Sequence, residues 1–194
     1  MTRLKQQIAF IKEIDQLKYI TRKTKLFASN RHENDAEHSW HLALMTLILA
    51  EHANEEIDVL KVLKMVLIHD LVEIDAGDIF LFDTTKNHNN TEEELRAATR
   101  IFSILPRDQA LELISLWKEF EYGQTKEAAF AKAIDRLQPV LQNESNDGGS
   151  WVEYSVPYDT IYAKIEHMNT GSTTLWNYVE ALLNTMKKKE ILCQ

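Results

Sequence analysis

Glycine and proline are scarce in this chain. Five Gly and three Pro stand among 194 residues, where average usage would supply about 23 of the two together. Tight turns draw heavily on both, so long helices are favoured over a fold of many short strands. The scarcity also removes phosphate-binding loops. The glycines are Gly77, Gly123, Gly148, Gly149 and Gly171. Neither G-x-G-x-x-G nor G-x-x-x-x-G-K-[ST] can be written from them, which excludes dinucleotide-binding and P-loop chemistry.

The length fits one compact domain that buries its core without disulfides or metal staples. The only cysteine, Cys193, is next to last. It leaves no disulfide framework, no Cys-rich zinc site and little prospect of a thiol nucleophile, and it fits a reducing, cytoplasmic setting. The opening MTRLKQQIAFIKEIDQL is amphipathic, without the apolar core of a signal peptide. No run approaches the roughly 18 apolar residues of a membrane span, so no membrane partner is expected. A net charge of −8 repels nucleic acid backbones, so polymer binding is not expected. A small anionic substrate in a local basic pocket remains compatible, because Lys18, Arg22, Lys23, Lys25 and Arg31 crowd one early segment.

The hydrophobic spacing predicts an all-α bundle. Leu4, Ile8 and Ile11 mark a helix over 2–18, followed by a basic loop over 19–33. Asn34 and Glu37 form a capping-box pattern opening a helix to about Ala53, with His38, Leu42, Met45, Leu49 and His52 as its inward stripe. A helix over Ile57–Ile74 stops near Gly77, and 78–90 reads as a loop. Further helices are predicted over 91–104, 106–121 and 125–144, with Pro106 at a start. Residues 145–156 read as flexible, a helix follows Pro157, and the last spans about 172–189. No convincing strand pair is expected.

Polar residues on these apolar faces carry the chemistry. His69 and Asp70 end a run of Leu, Val and Met that must be buried, so they need partners. Glu73 falls between them one turn on, at 100° per residue. Two carboxylates this close are costly unless a proton or cation intervenes, and a divalent metal is the simplest solution. His38 lies on the inward stripe of the preceding helix. Asp135 shares a face with Ala128, Ala131 and Gln138, with Ile134 and Leu137 beside it toward the core. Two His and two Asp suit one divalent ion of Mn, Co, Fe, Ni, Zn or Mg with open positions, which is what a hydrolytic centre needs.

These residues resemble a known family. His38, His69-Asp70 and Asp135 follow the H…HD…D order of the HD-domain metal-dependent phosphohydrolases. R-x-E-N-x-A-E-H-S at Arg31–Ser39 and H-D-x-x-E-x-x-x-G-D at His69–Asp78 resemble the HD-domain 5′-deoxynucleotidases. The stretch from Thr91 to Glu144 looks closer to the branch with the human HD-domain-containing homologue. The likeness covers about 5–170 of a single HD domain over 1–194, with a C-terminal helix over about 172–189. It implies a helical homodimer that releases phosphate from nucleoside 5′-monophosphates, preferably deoxyribonucleotides. It implies His38, His69, Asp70 and Asp135 as metal ligands, Glu73 as the group that orients or deprotonates water, and Asp78 as a water-placing or acid group. Arg22 is the nearest match to the family's phosphate-gripping Arg, and Arg31 is a second candidate contact. The Trp that follows that Arg in the bacterial members is Lys23 here. A non-catalytic nucleotide- or metal-binding module, or a hydrolase of another phosphate ester, is the alternative.

Other polar and aromatic residues have simpler readings. His52 reads as a core or rim residue, and His41 as packing more than site lining. His32, His88 and His167 read as solvated. Trp117, Phe120 and Tyr122 read as core or dimer packing. Glu92-Glu93-Glu94 read as an acidic first turn, and Lys187-Lys188-Lys189 as a complement to a helix C-terminus. Gly77 is expected to turn the chain so that Asp78 points back at the metal.

Overall fold

A computed structural model of the chain describes residues 1–83, 85 and 91–192. Cys193, His88 and most of the end of the 78–90 loop lie outside the described residues. The fold is all-α, as expected, with one small sheet. Helix α1 (Arg3–Glu13) runs into a 3-10 turn over Ile14–Tyr19. Strands β1 (Thr21–Lys25) and β2 (His32–Asn34) follow, then α2 (Asp35–Leu49) with a 3-10 turn over Ala50–His52. Helix α3 (Val59–Ile68) gives way to a 3-10 turn, His69–Val72, and the short α4 (Glu73–Ala76). Then come α5 (Thr91–Phe102), α6 (Arg107–Tyr122), α7 (Lys126–Ser145), α8 (Gly149–Glu153), α9 (Tyr158–Ile165), α10 (Met168–Gly171) and α11 (Thr173–Lys188).

Three expectations are corrected. Residues 19–33 contain an antiparallel hairpin, with Thr21 opposite Asn34 and Lys25 opposite His32 across an irregular register. Every residue of β1 is polar, so hydrophobic alternation could not announce it; only Thr24 is buried. His32 is a half-buried strand residue whose Nδ1 bonds the Arg22 carbonyl at 3.0 Å, and is not simply solvated. The predicted helix over Ile57–Ile74 is also interrupted, at His69.

Helix α7 runs through the core. Phe130, Ala131, Ala133 and Ile134 are fully buried, and neighbours α2, α3, α6, α10 and α11 surround it. Each large apolar side chain so buried contributes about 1.5–3 kcal/mol. Gly171 lets α10 lie directly on α7: a Cβ there would stand 2.2 Å from the Ala129 carbonyl oxygen. Of the predicted inward stripe of α2, His38, Leu42 and Met45 are buried, while Leu49 and His52 are half-buried and His52 lies in the 3-10 turn beyond the helix. The opposite face of α2 is also apolar: Trp40, Leu44, Leu47 and Ile48 are exposed, Ile48 by 69%. Among the described residues no helix is long and apolar enough to cross a membrane.

Candidate metal centre

Three elements bring the predicted residues together. The capping box forms: the Asn34 side chain accepts from the Glu37 amide at 2.9 Å, and Glu37 accepts from the Asn34 amide at 3.2 Å. This fixes the start of α2 and sets His38 one turn inside it. The 3-10 winding at His69–Val72 has three residues per turn, so side chains three apart eclipse. It stacks Glu73 over Asp70 and swings His69 away to another side. Two clusters of potential ligand atoms result, each within 4.8 Å: His38 with His69 and Asp135, and Asp35 with Asp70 and Glu73.

The first cluster has its imidazoles oriented. The His38 Nδ1–H donates to Gln138 Oε1 at 3.1 Å, while the Gln138 amide nitrogen donates to Glu33 at 2.6 Å. His69 Nδ1–H donates to the Val66 carbonyl at 3.0 Å. Both Nε2 atoms are thereby left as lone-pair donors, and both face Asp135 Oδ1, at 3.0 Å from His38 and 3.5 Å from His69. Asp70 joins them, with Oδ1 at 3.0 Å from His69 Nε2 and Oδ2 at 3.9 Å from His38 Nε2. His69 Nε2 is buried without a hydrogen-bond partner. Lone pairs facing carboxylates in a buried site require a positive centre between them. Two nitrogens and two oxygens match a borderline divalent ion, and Gln138 and the Val66 carbonyl supply the outer hydrogen bonds such ligands need.

The HD-domain family model matches residues 14–176. The chain belongs to the HD-domain family. A bovine protein named 5′-deoxynucleotidase HDDC2 is 27% identical over 167 residues, covering 82% of this chain and 78% of its own. The crystal structure of a predicted metal-dependent phosphohydrolase from Magnetospirillum magnetotacticum is 44% identical, with a TM-score of 0.94 over 99% of this chain and 96% of that one. The PH0347 protein of Pyrococcus horikoshii, 24% identical, shares the fold at a TM-score of 0.64 over 93% and 98% of the two chains.

Beside the HD-domain cluster lies a cavity of about 270 Å³. His69, Asp70, Glu73, Asp78 and Asp135 line it, with Phe120 and Trp151 among its apolar walls. Gly77 (φ 76°, ψ 152°) ends α4 as predicted, in a region only glycine adopts without strain, and delivers Asp78 to the cavity. Arg22 also reaches it from β1, but its Nη1 donates to Asp70 at 2.9 Å and to Asp35 at 3.1 Å. Arg31 does not line it: both of its Nη atoms are held by Glu37 at the surface, at 2.8 and 3.0 Å. The fold thus does not bring Arg31, the second candidate phosphate contact, to the cavity, and the capping-box glutamate satisfies its fork.

Burial and crowding shape the charges. Burial, then the Asp70 charge, raises Asp35 to about 6. Burial, Asp70 and a hydrogen bond with Asp35 hold the Glu73 carboxyl well above the usual range. Burial likewise raises Asp78, although Arg22 opposes it. His38 is pushed down by burial and by Arg22, yet Asp135, Glu33 and Asp70 outweigh them and raise it to about 9. A proton and a metal compete for the same lone pair there. Asp135 resists burial because Arg136 and the two histidines hold it well below the usual range.

Several contributors escaped the sequence reading. Gln138 lies on the Asp135 face, and nothing in the sequence marks its bond to His38. Phe120 packs in the core as expected, and its ring lies tilted against the His69 ring with centroids 4.8 Å apart. Glu33 and Asp35 are buried, although they sit in a polar segment. Pro139 lies inside α7, four residues after Asp135. It lacks the amide that would bond the Asp135 carbonyl, and that spacing was a readable signal. His41 packs between Phe27 and Trp40, and His167 is exposed, as expected. Tyr122 is exposed, whereas Trp117 and Phe120 are buried.

Proposed function

We infer that this HD-domain protein is a metal-dependent phosphomonoesterase. It releases inorganic phosphate from nucleoside 5′-monophosphates, with deoxyribonucleotides preferred. The observation that carries this reading is the pair of Nε2 lone pairs, fixed by outer hydrogen bonds and aimed at Asp135 beside a cavity. His38, His69, Asp70 and Asp135 would hold one divalent ion of Mn, Co, Fe, Ni, Zn or Mg. When bound, that ion supplies Lewis acidity toward a phosphoryl oxygen and a lowered pKa for water.

The chain's own groups do the rest. Glu73, its carboxyl raised and its Oε2 buried without a partner, takes the proton of the attacking water as oxygen bonds phosphorus. The bond from phosphorus to the 5′ oxygen breaks, and Asp78, also raised, donates a proton to that oxygen. Arg22 offsets charge at the carboxylates and at the phosphoryl oxygens. The bovine relative's name, 5′-deoxynucleotidase, supports the substrate class. A purely regulatory module has no use for Glu73 and Asp78 in the cavity. The exposed apolar stripe of α2 suits the face of a homodimer, and a cytoplasmic setting suits the substrate.

A phosphate-release screen tests the reading. Deoxyribo- and ribonucleoside 5′-monophosphates are crossed with Mn, Co, Mg and Zn, with Asp70→Ala as control. Release by the wild type and none by the variant is expected. Nucleotide binding without turnover under every metal would overturn it in favour of the regulatory module.

A further inference from the structure

Helix α7 presents two cations to the cavity that the reaction above leaves unused. Lys132 and Arg136, one turn apart on one face, both line it. Arg136 is tethered by a single contact, from Nη1 to Asp135 Oδ2 at 3.2 Å. Its Nε is buried with no acceptor. A buried guanidinium donor without a partner is costly, and the oxygens of a carboxylate or phosphate are its natural complement. The Lys132 ammonium lies 5.1 Å over the Phe120 ring. Among the described residues no carboxylate lies within ion-pair distance of it; Glu94 and Glu121 line the same cavity further off. Arg22 also has an Nε without a hydrogen-bond partner, but its Nη1 is divided between two carboxylates, Asp35 and Asp70.

We propose that Arg136 and Lys132 form an anion-binding wall of the cavity that receives the phosphoryl oxygens of the ligand, with the Arg136 guanidinium as the principal donor. The inference rests on the proposed reaction for its ligand class, and on the α7 geometry for its residues. It also assigns Arg136 a second task. Its Nη1 contact holds the Oδ2 edge of Asp135, leaving Oδ1 to the two histidines. A metal that draws off the Asp135 charge leaves Arg136 less compensated, so metal and phosphate should bind cooperatively.

The test is calorimetric titration of manganese-loaded protein with inorganic phosphate, beside separate titrations with manganese. Arg136→Gln should weaken phosphate binding about tenfold or more, and Lys132→Gln several-fold, both read at saturating manganese so that any change in manganese affinity is scored separately. Arg136→Lys, which keeps the charge and loses the fork, should fall between. Unchanged phosphate affinity in both neutral variants, or a loss that only follows the loss of manganese, overturns the proposal. Because the readout is binding, it is separable from turnover. Phosphate held through α7 without hydrolysis of any monophosphate refutes the reaction and leaves this site standing. Hydrolysis with phosphate affinity indifferent to Arg136 and Lys132 does the reverse.

Discussion

Gln138→Ala removes the side chain that orients His38 and leaves the metal-facing atoms untouched. Gln138 is fully buried and makes two strong contacts, accepting from His38 Nδ1 at 3.1 Å and donating to Glu33 Oε1 at 2.6 Å. Alanine strands both partners. Each buried group left unsatisfied costs about 1–3 kcal/mol, so the metal-free protein should lose about 2–6 kcal/mol in urea denaturation. The imidazole also loses the bond that fixes its tautomer, and loss of such an outer contact costs about 10–100-fold in metal affinity. Manganese titration of the folded variant reads this directly. Gln138→Glu separates the two effects. It can still accept from His38 Nδ1–H, but it sets a carboxylate against Glu33, so it should bind metal better than the alanine variant despite lowered stability. The reasoning is refuted if Gln138→Ala binds manganese as tightly as wild type, or if it unfolds at the same urea concentration.

Four further outcomes are expected. Glu73→Gln should keep metal affinity while phosphate release falls about 10²–10⁴-fold, as loss of a general base requires; initial rates at saturating metal check this. Gly77→Ala forces alanine to a φ of 76°, where backbone strain alone costs about 1–3 kcal/mol because the space around its Cβ is open; a thermal melt and phosphate release should both register it. For pH, the folded carboxyl of Asp35 titrates near 6 against 3.8 in the unfolded chain. Its ionised form therefore destabilises the metal-free protein above pH 6, and the cost fades as pH falls through 6 toward 4. Asp35→Asn should accordingly gain about 1 kcal/mol on wild type between pH 5 and pH 8, read as the change in the stability difference from paired denaturation curves. For the homodimer proposed through the apolar outer face of α2, Ile48→Glu should halve the mass seen by light scattering; an unchanged mass, or a monomeric wild type, would refute that proposal.

The sequence made some of this legible because the signals are local. Asn34 and Glu37 announce a helix start through a contact between residues three apart, and the capping box forms as spaced. Gly77 announces a helix end through a backbone angle that only glycine takes easily. His38, His69, Asp70 and Asp135 stood out as polar residues on apolar faces, and the fold draws them to one point. What escaped depends on partners far along the chain. The all-polar β1 strand is defined by its pairing with β2 and its packing on α7 and α8. The 3-10 break at His69 separates the imidazole from Glu73 and lies inside an uninterrupted apolar pattern. Which partners an arginine has is also a tertiary fact: both Arg31 Nη atoms are held by Glu37 and Arg22 Nη1 is shared by Asp35 and Asp70, while Arg136, unremarkable in sequence, lines the cavity with one contact, to Asp135.

The central claim is that the two imidazoles and two carboxylates hold one ion. Anomalous diffraction from manganese-soaked crystals tests it most directly. The account predicts a single strong peak within about 2.0–2.4 Å of His38 Nε2, His69 Nε2 and the Asp70 and Asp135 oxygens, which Asp135→Ala abolishes. A peak held by Asp35, Asp70 and Glu73 without the histidines, or no peak at saturating manganese, would contradict it.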